Sequence, residues 1–494
     1  RVCTVPRYCT MNLVDDSNSI QRARKKVRVG SVRVVGSLLA SVTLFGALTL
    51  GISWKFVHGV AQAVTPIASS AELQSLSAPI INARRTPQTL SHDVRFRSLR
   101  TQLTALSNRL PAESCLAIEI EGTRIVNVNP DMPLLPASNM KLVVAMVALD
   151  VLKPEFVFST SLVGQANGNS IDGDAYLIGG GDPLLVTGNY PATEPYPSFN
   201  FTRLENLFDA LASKGITRIA GSIVGDESRY DAERFSPTLG LGIKGTEVGP
   251  LGALMVNDGV VSGNPIKPDN PALGAVTEFT NTLQNNGIAV TGGPKVGTAP
   301  QDLPVIVKID SLPLSDIVAE MLTNSDNNTA ELLVKELGFA TSGTGTREAG
   351  LEVIKAKLVE WGIPLDVLQF VDGSGLDRGN RLTCNTLITL LARDGGFGPV
   401  GVGLATASQT GTLRDVLGDT LGAGKLRGKT GTLTGAKALS GFVPFSPDQA
   451  SSFSLIINGA NSSNQTTYRP IWNALSDALG GFSGSPSASE IAPN

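Results

Sequence analysis

From Pro136 to Leu149 the chain reads PASNMKLVVAMVAL, and every residue from Leu142 to Leu149 is apolar. A helix that is apolar all round has to be buried, so a core must be built around this one. Pro136 discourages an earlier helical start, which places Ser138 in the first turn. The i, i+3 spacing then sets Ser138 and Lys141 on one face. Desolvation, the positive end of the helix dipole and any second cation all favour the neutral amine, which can accept the serine proton. The S-x-x-K spacing is weak by itself, since average composition yields about two matches in a chain of this length. Taken alone, a surface lysine at a helix start is the plainer reading.

The rest of the chain narrows the choice. Its 494 residues allow two or three domains. A formal net charge of −3 argues against a nucleic-acid partner. The two histidines, His58 and His92, lie beside an N-terminal apolar run and in the stretch after it. A Ser-His-Asp mechanism, and with it an ordinary esterase, therefore lacks its base. Zinc sites built from His and Cys are disfavoured for the same reason.

Residues 1–33 are basic and residues 34–54 carry no charge, a length that can span a bilayer. Positive-inside logic leaves the basic end in the cytoplasm and the remainder outside. The alternative is a signal segment cleaved at the A-x-A site ending at Ala63. Either way the working part is exported, anchored to the cell membrane or secreted. Residues 55–95 read as a linker and 483–494 as a disordered tail. Beyond the apolar run only Cys115 and Cys384 remain; one disulfide or two separate buried thiols both fit.

CLAIEIEGTRIVNVNP, starting at Cys115, alternates about Glu121 and Gly122 as a hairpin does. The cluster GGGDP at 179–183 lacks the lysine of a phosphate loop and reads as a tight turn. SDNNTAELLVKELG begins at Ser325 and enters an amphipathic helix. There Ser325 can pass or hold a proton and the Asn327 amide can bind a peptide backbone, although plain helix capping explains the same residues. Lys429, Thr430 and Gly431 occur as K-T-G in strand-like sequence. Gly431 would let a ligand backbone approach the strand edge, and Lys429 would supply charge for a terminal carboxylate. The plain alternative is a solvated edge lysine.

In the order S-x-x-K, S-x-N, K-T-G these three motifs are those of penicillin-binding proteins and class A β-lactamases. The chain resembles the D-alanyl-D-alanine carboxypeptidase/endopeptidase family of low-molecular-mass penicillin-binding proteins, in the class with domains inserted between the first two motifs. The resemblance spans about Thr101 to Phe482. It is carried by PASNMKLVVA, GGGDP, GSIVGDES, SDNNTAELL, DGSGLDRGNRLT and GKTGTLTGAKALSGF. It implies Ser138 as acylated nucleophile, Lys141 as its base, Ser325 and Asn327 as the second motif, and Lys429, Thr430 and Gly431 as the third. The oxyanion hole would use the backbone amides of Ser138 and Thr432. Arg378 is a candidate for binding a stem-peptide carboxylate, with a structural arginine at a turn as the equal alternative.

The implied fold is a transpeptidase-like α/β/α sandwich with an antiparallel sheet, formed by residues 96–159 and 308–482. An accessory α/β domain over 160–307 is inserted between them, shorter than the family's usual insertion, with the cut suspected at 257–273. The implied reaction is hydrolysis of the terminal D-Ala-D-Ala bond of peptidoglycan stem peptides, extending to cross-link endopeptidase activity, and it requires no metal or organic cofactor. β-Lactam antibiotics would acylate Ser138 as substrate mimics. A β-lactamase and a non-catalytic penicillin or peptidoglycan sensor are the competing readings.

Overall fold

The computed structural model describes residues 87–264 and 266–482. The expected membrane segment at 34–54, the cleavage site at Ala63 and the tail at 483–494 lie outside them. Among the described residues no helix is long and apolar enough to cross a membrane.

Helix α1, Pro87–Ser107, comes first. It starts inside the stretch expected to be a linker, because Leu99, Leu103 and Leu106 recur one and two turns apart and bury completely against the sheet. The hairpin follows as β1, Ser114–Ile120, and β2, Thr123–Val128, turning at Glu121 and Gly122. A 3-10 turn at Ala137–Asn139 then leads into α2, Met140–Leu152.

Strands β3, Ser159–Asn167, and β4, Ser170–Ile178, form a hairpin in a second, mixed sheet. Helix α3, Glu205–Ser213, strand β5, Ile223–Asp226, and helix α4, Pro271–Asn285, follow. Strand β6, Val305–Asp310, closes the insertion by pairing with β3, so the chain leaves beside the place where it entered. The insertion has its own apolar core around Leu177, Leu207, Phe279 and Ile306.

Helices α5, Leu314–Asn324, α6, Asn327–Ser342, and α7, Arg347–Glu360, rejoin the main body, followed by α8, Cys384–Asp394. The chain ends in strands β7, Arg427–Leu433, β8, Ala436–Pro444, and β9, Ala450–Asn458, and helix α9, Gln465–Phe482. The main sheet is antiparallel, and its order from one edge is Ala405–Thr406, β7, β8, β9, β1, β2. The N-terminal hairpin thus pairs with the last strand, Cys115 opposite Ile456.

Period-two alternation decides which face each side chain serves. Leu116, Ile118 and Ile120 of β1 pack with α1 and with Trp472 and Leu475 of α9. Cys115 and Ala117 face the other way, against a core with Val143, Val144 and Val147 of α2, Leu333 of α6 and Leu387 of α8. Helices therefore cover both faces of the sheet, the sandwich expected from sequence, and α2 is buried at its centre.

Cys115 and Cys384 form a disulfide, so of the two readings left open the paired one holds. Hydrophobic packing brings the pair together: β1 and α8 share one core, which puts the two Cα atoms 5.9 Å apart. The crosslink ties the first strand to a helix 269 residues later. Cys384→Ser should lower unfolding stability by about 2–4 kcal/mol in a denaturant titration. Reduction of the wild type should cause the same loss and have no further effect on the variant.

Candidate active site

The turn at Ala137–Asn139 is locally improbable, since Ala137 sits at φ 46°, a region that disfavours a side chain. Its neighbours hold it there. A Cβ on Gly375, itself at φ 83°, would overlap the Ala137 carbonyl oxygen, and a Cβ on Gly431 would lie 2.8 Å from the Pro136 carbonyl oxygen. Two glycines from distant segments thus let backbone close on both sides of the residue before Ser138. The space that a side chain at Gly431 would need is taken by this turn.

Behind the turn, Lys141 is fully buried. Its Nζ donates to Ser138 Oγ at 3.2 Å, Asn327 Oδ1 at 2.7 Å and the Ser374 carbonyl at 2.7 Å. Burial pushes its pKa down to about 8, while the negative charges of Asp372, Glu331, Asp326 and Glu247 hold it from falling further. Lys429 is also fully buried; desolvation, and then repulsion from Lys141, lower its affinity for a proton well below the usual. Its Nζ donates to the Thr430 carbonyl at 3.1 Å.

Asn327 opens α6, and its side-chain orientation is fixed from both ends. Nδ2 donates to the Glu247 carbonyl at 2.7 Å, so Oδ1 is left to face Lys141. One of the two amide protons of Asn327 is thus engaged by the insertion. Ser325 ends α5 in the left-handed region at φ 66°, and Asp326 caps α6 by accepting from the Thr329 amide. Capping and a place at the site therefore coexist here, on adjacent residues.

The insertion is tied to this helix by charge. Arg229 forms an ion pair with the buried Glu336 at 2.7 Å, Lys335 pairs with Asp231, and the Gly249 amide donates to Asn328 Oδ1 at 2.6 Å. Such pairs add little net stability but resist being broken from one side, which fixes the register of the segment against α6.

Ser138, Ser325, Asn327, Thr430 and Thr432 line one cavity of about 570 Å³, together with Tyr190, Glu247 and Leu376. The short edge strand Ala405–Thr406 pairs only with Gly428 and Arg427. Beyond that point the outer edge of β7 has no strand partner among the described residues.

Lys141, Lys429 and Gly431 are buried behind this lining, whereas Arg378 belongs to neither group. It is exposed and donates to the Thr434 carbonyl at 2.8 Å, holding the end of the β7–β8 hairpin. Its own segment contributes differently, through Ser374. Asp372 accepts from the Gly375 amide and from Asn380 Nδ2, and Glu331 accepts from the amides of Gly373 and Ser374. These contacts aim the Ser374 carbonyl at Lys141. Sequence reasoning missed Glu331, Asp372 and Ser374; the available signal was the turn-rich run DGSGLDRGN.

The family model described as D-Ala-D-Ala carboxypeptidase 3 (S13) matches residues 113–267 and 263–478. The chain belongs to this family. It is a serine-type D-Ala-D-Ala carboxypeptidase. It is 29% identical over 410 residues to the D-alanyl-D-alanine carboxypeptidase of Actinomadura sp. strain R39, covering 66% of this chain and 73% of that one. It is also 29% identical over 348 residues to carboxypeptidase Rv3627c of Mycobacterium tuberculosis, covering 67% and 72%. In fold it is similar to penicillin binding protein 4 of Haemophilus influenzae, with a TM-score of 0.62 at 21% identity, covering 76% of this chain and 99% of that one. The Bdellovibrio bacteriovorus peptidoglycan endopeptidase Bd3459 gives a TM-score of 0.52 at 19% identity, over 76% and 94%.

Gly375→Ala should displace Ala137 and slow acylation of the carboxypeptidase by penicillin about a hundredfold, because a misplacement of 1 Å at a reacting atom has that effect. Circular dichroism should show the fold retained.

Proposed function

We propose that Ser138 is the acylated nucleophile and Lys141 its base. The observation that carries this is the buried Lys141 amine held between Ser138 Oγ, Asn327 Oδ1 and the Ser374 carbonyl. Ser138 Oγ attacks the carbonyl between two terminal D-alanines, and its proton passes to Lys141 Nζ. The C–N bond breaks as that proton reaches the leaving amine, and water then cleaves the Ser138 ester. Backbone amides of Ser138 and Thr432 hold the oxyanion, Ser325 relays or holds a proton, and Thr430 and Lys429 face the terminal carboxylate.

The same acyl-enzyme serves a cross-link between stem peptides whose acyl donor ends in D-alanine. The lack of a strand partner along the rest of β7 supports this extension, since β-addition accepts a long peptide as readily as a short one. β-Lactams, which mimic this terminus, acylate Ser138 and leave slowly. The substrate lies outside the cytoplasmic membrane, and residues 34–54 anchor or export the enzyme. Arg378, outside the cavity, is assigned to the hairpin end.

Ser138→Ala should reduce release of D-alanine from a stem pentapeptide at least about a thousandfold with the fold intact. Equal release by the variant would remove Ser138 from the mechanism. Because Lys141 must be neutral to accept a proton and titrates at about 8, only about a tenth of it is competent at pH 7. The acylation rate should therefore rise with pH and level off above about pH 8; a flat profile from about pH 6 to 9 would contradict Lys141 as base. Arg378→Ala should leave kcat/KM within about twofold, as expected for a surface contact away from the site.

A further inference from the structure

On the face of the sheet covered by α9, Lys437 of β8 sits directly across from Thr432 of β7. Its Nζ donates to Thr432 Oγ1 at 2.6 Å and lies 4.2 Å from the Tyr468 ring centroid and 4.9 Å from that of Trp472. The residue is only 8% exposed. Fixing and burying a lysine is unfavourable without a partner. Among the described residues no carboxylate pairs with it. The neighbouring charge is Arg469, which together with burial pushes its pKa down to about 8. The two aromatic faces offset part of that cost. The hydrogen bond to Thr432 is its one polar contact among the described residues.

That contact has a directional consequence. A threonine hydroxyl has one proton and two lone pairs, whereas an ammonium only donates. Lys437 therefore occupies a lone pair of Thr432 Oγ1 and leaves its proton to be donated elsewhere. No acceptor among the described residues takes it, and Thr432 lines the cavity beside Ser138. Thr430, by contrast, is engaged with Thr412 Oγ1 at 2.9 Å. Lys429 is a weakened cation, since burial and Lys141 both disfavour its charge.

We infer that Lys437 is a positioning residue, orienting the Thr432 hydroxyl as a donor and adding positive potential for the C-terminal carboxylate of the bound peptide. This rests on the reading of Ser138 as the nucleophile that attacks a D-Ala-D-Ala terminus.

The experiment compares Lys437→Met and Lys437→Arg with the wild type on a stem peptide ending in a free D-Ala carboxylate and on the same peptide with a C-terminal amide. Lys437→Met should raise KM for the carboxylate about tenfold, the scale of one charge-assisted hydrogen bond, with kcat little changed. The amide should respond little, and Lys437→Arg should restore most of the loss. Thr432→Val combined with Lys437→Met should be no worse than Thr432→Val alone. An unchanged KM, or an equal loss on both peptides with unchanged thermal stability, would overturn the proposal while leaving Ser138 in place. A wild type that releases neither D-alanine from the first peptide nor D-alaninamide from the second would overturn both.

Discussion

One buried ammonium organises the centre of this molecule. Lys141 has no access to water, so each of its three protons needs an acceptor within the protein. The acceptors come from its own turn, from the start of α6 and from the loop at 372–380. Meeting the needs of a single side chain therefore requires three parts of the chain to converge to within hydrogen-bonding distance. The resulting cluster leaves the amine easy to deprotonate: burial favours the neutral form, and the carboxylates of Asp372 and Glu331 temper that effect from behind. Lys429 completes the balance, since two adjacent buried cations cannot both hold a proton comfortably.

The backbone around the lysine is shaped to the same end. Ala137 in a left-handed conformation turns Ser138 toward the cavity, and Gly375 and Gly431 are small because carbonyl oxygens occupy the space their side chains would need. The insertion adds a further restraint from outside the sandwich. Its segment from Arg229 to Gly249 is tied to α6 by ion pairs and an amide contact, and one of its carbonyls orients Asn327. An accessory region thus reaches Lys141 through one intervening amide.

The fold was legible wherever a simple periodicity decided burial. The all-apolar helix after Lys141, the alternating hairpin at Cys115 and the strands around Lys429 took the forms their patterns imply, and the family resemblance supplied the arrangement of the sandwich. Pairing of Cys115 with Cys384 was not legible, because two cysteines far apart in sequence say nothing about distance until a shared core brings them together. The start of α1 was hidden by a linker-like composition, since its stability comes from packing three leucines on the sheet. In the site, side chains with distinctive chemistry stood out, whereas the Ser374 carbonyl and the carboxylates of Glu331 and Asp372 act through backbone geometry that no residue pattern displays. Arg378 stayed ambiguous for the opposite reason: a guanidinium in a glycine-rich loop suits a carboxylate ligand and a backbone carbonyl equally, and here it donates to the Thr434 carbonyl.

The proposed covalent intermediate is an ester of Ser138, formed with Lys141 as base. The most direct test is the intact mass of the purified protein after incubation with penicillin, followed by peptide mapping. One stable adduct per chain is expected, located on the peptide that carries Ser138 and absent from Ser138→Ala. An adduct elsewhere, or rapid drug hydrolysis with no adduct accumulating, would contradict it.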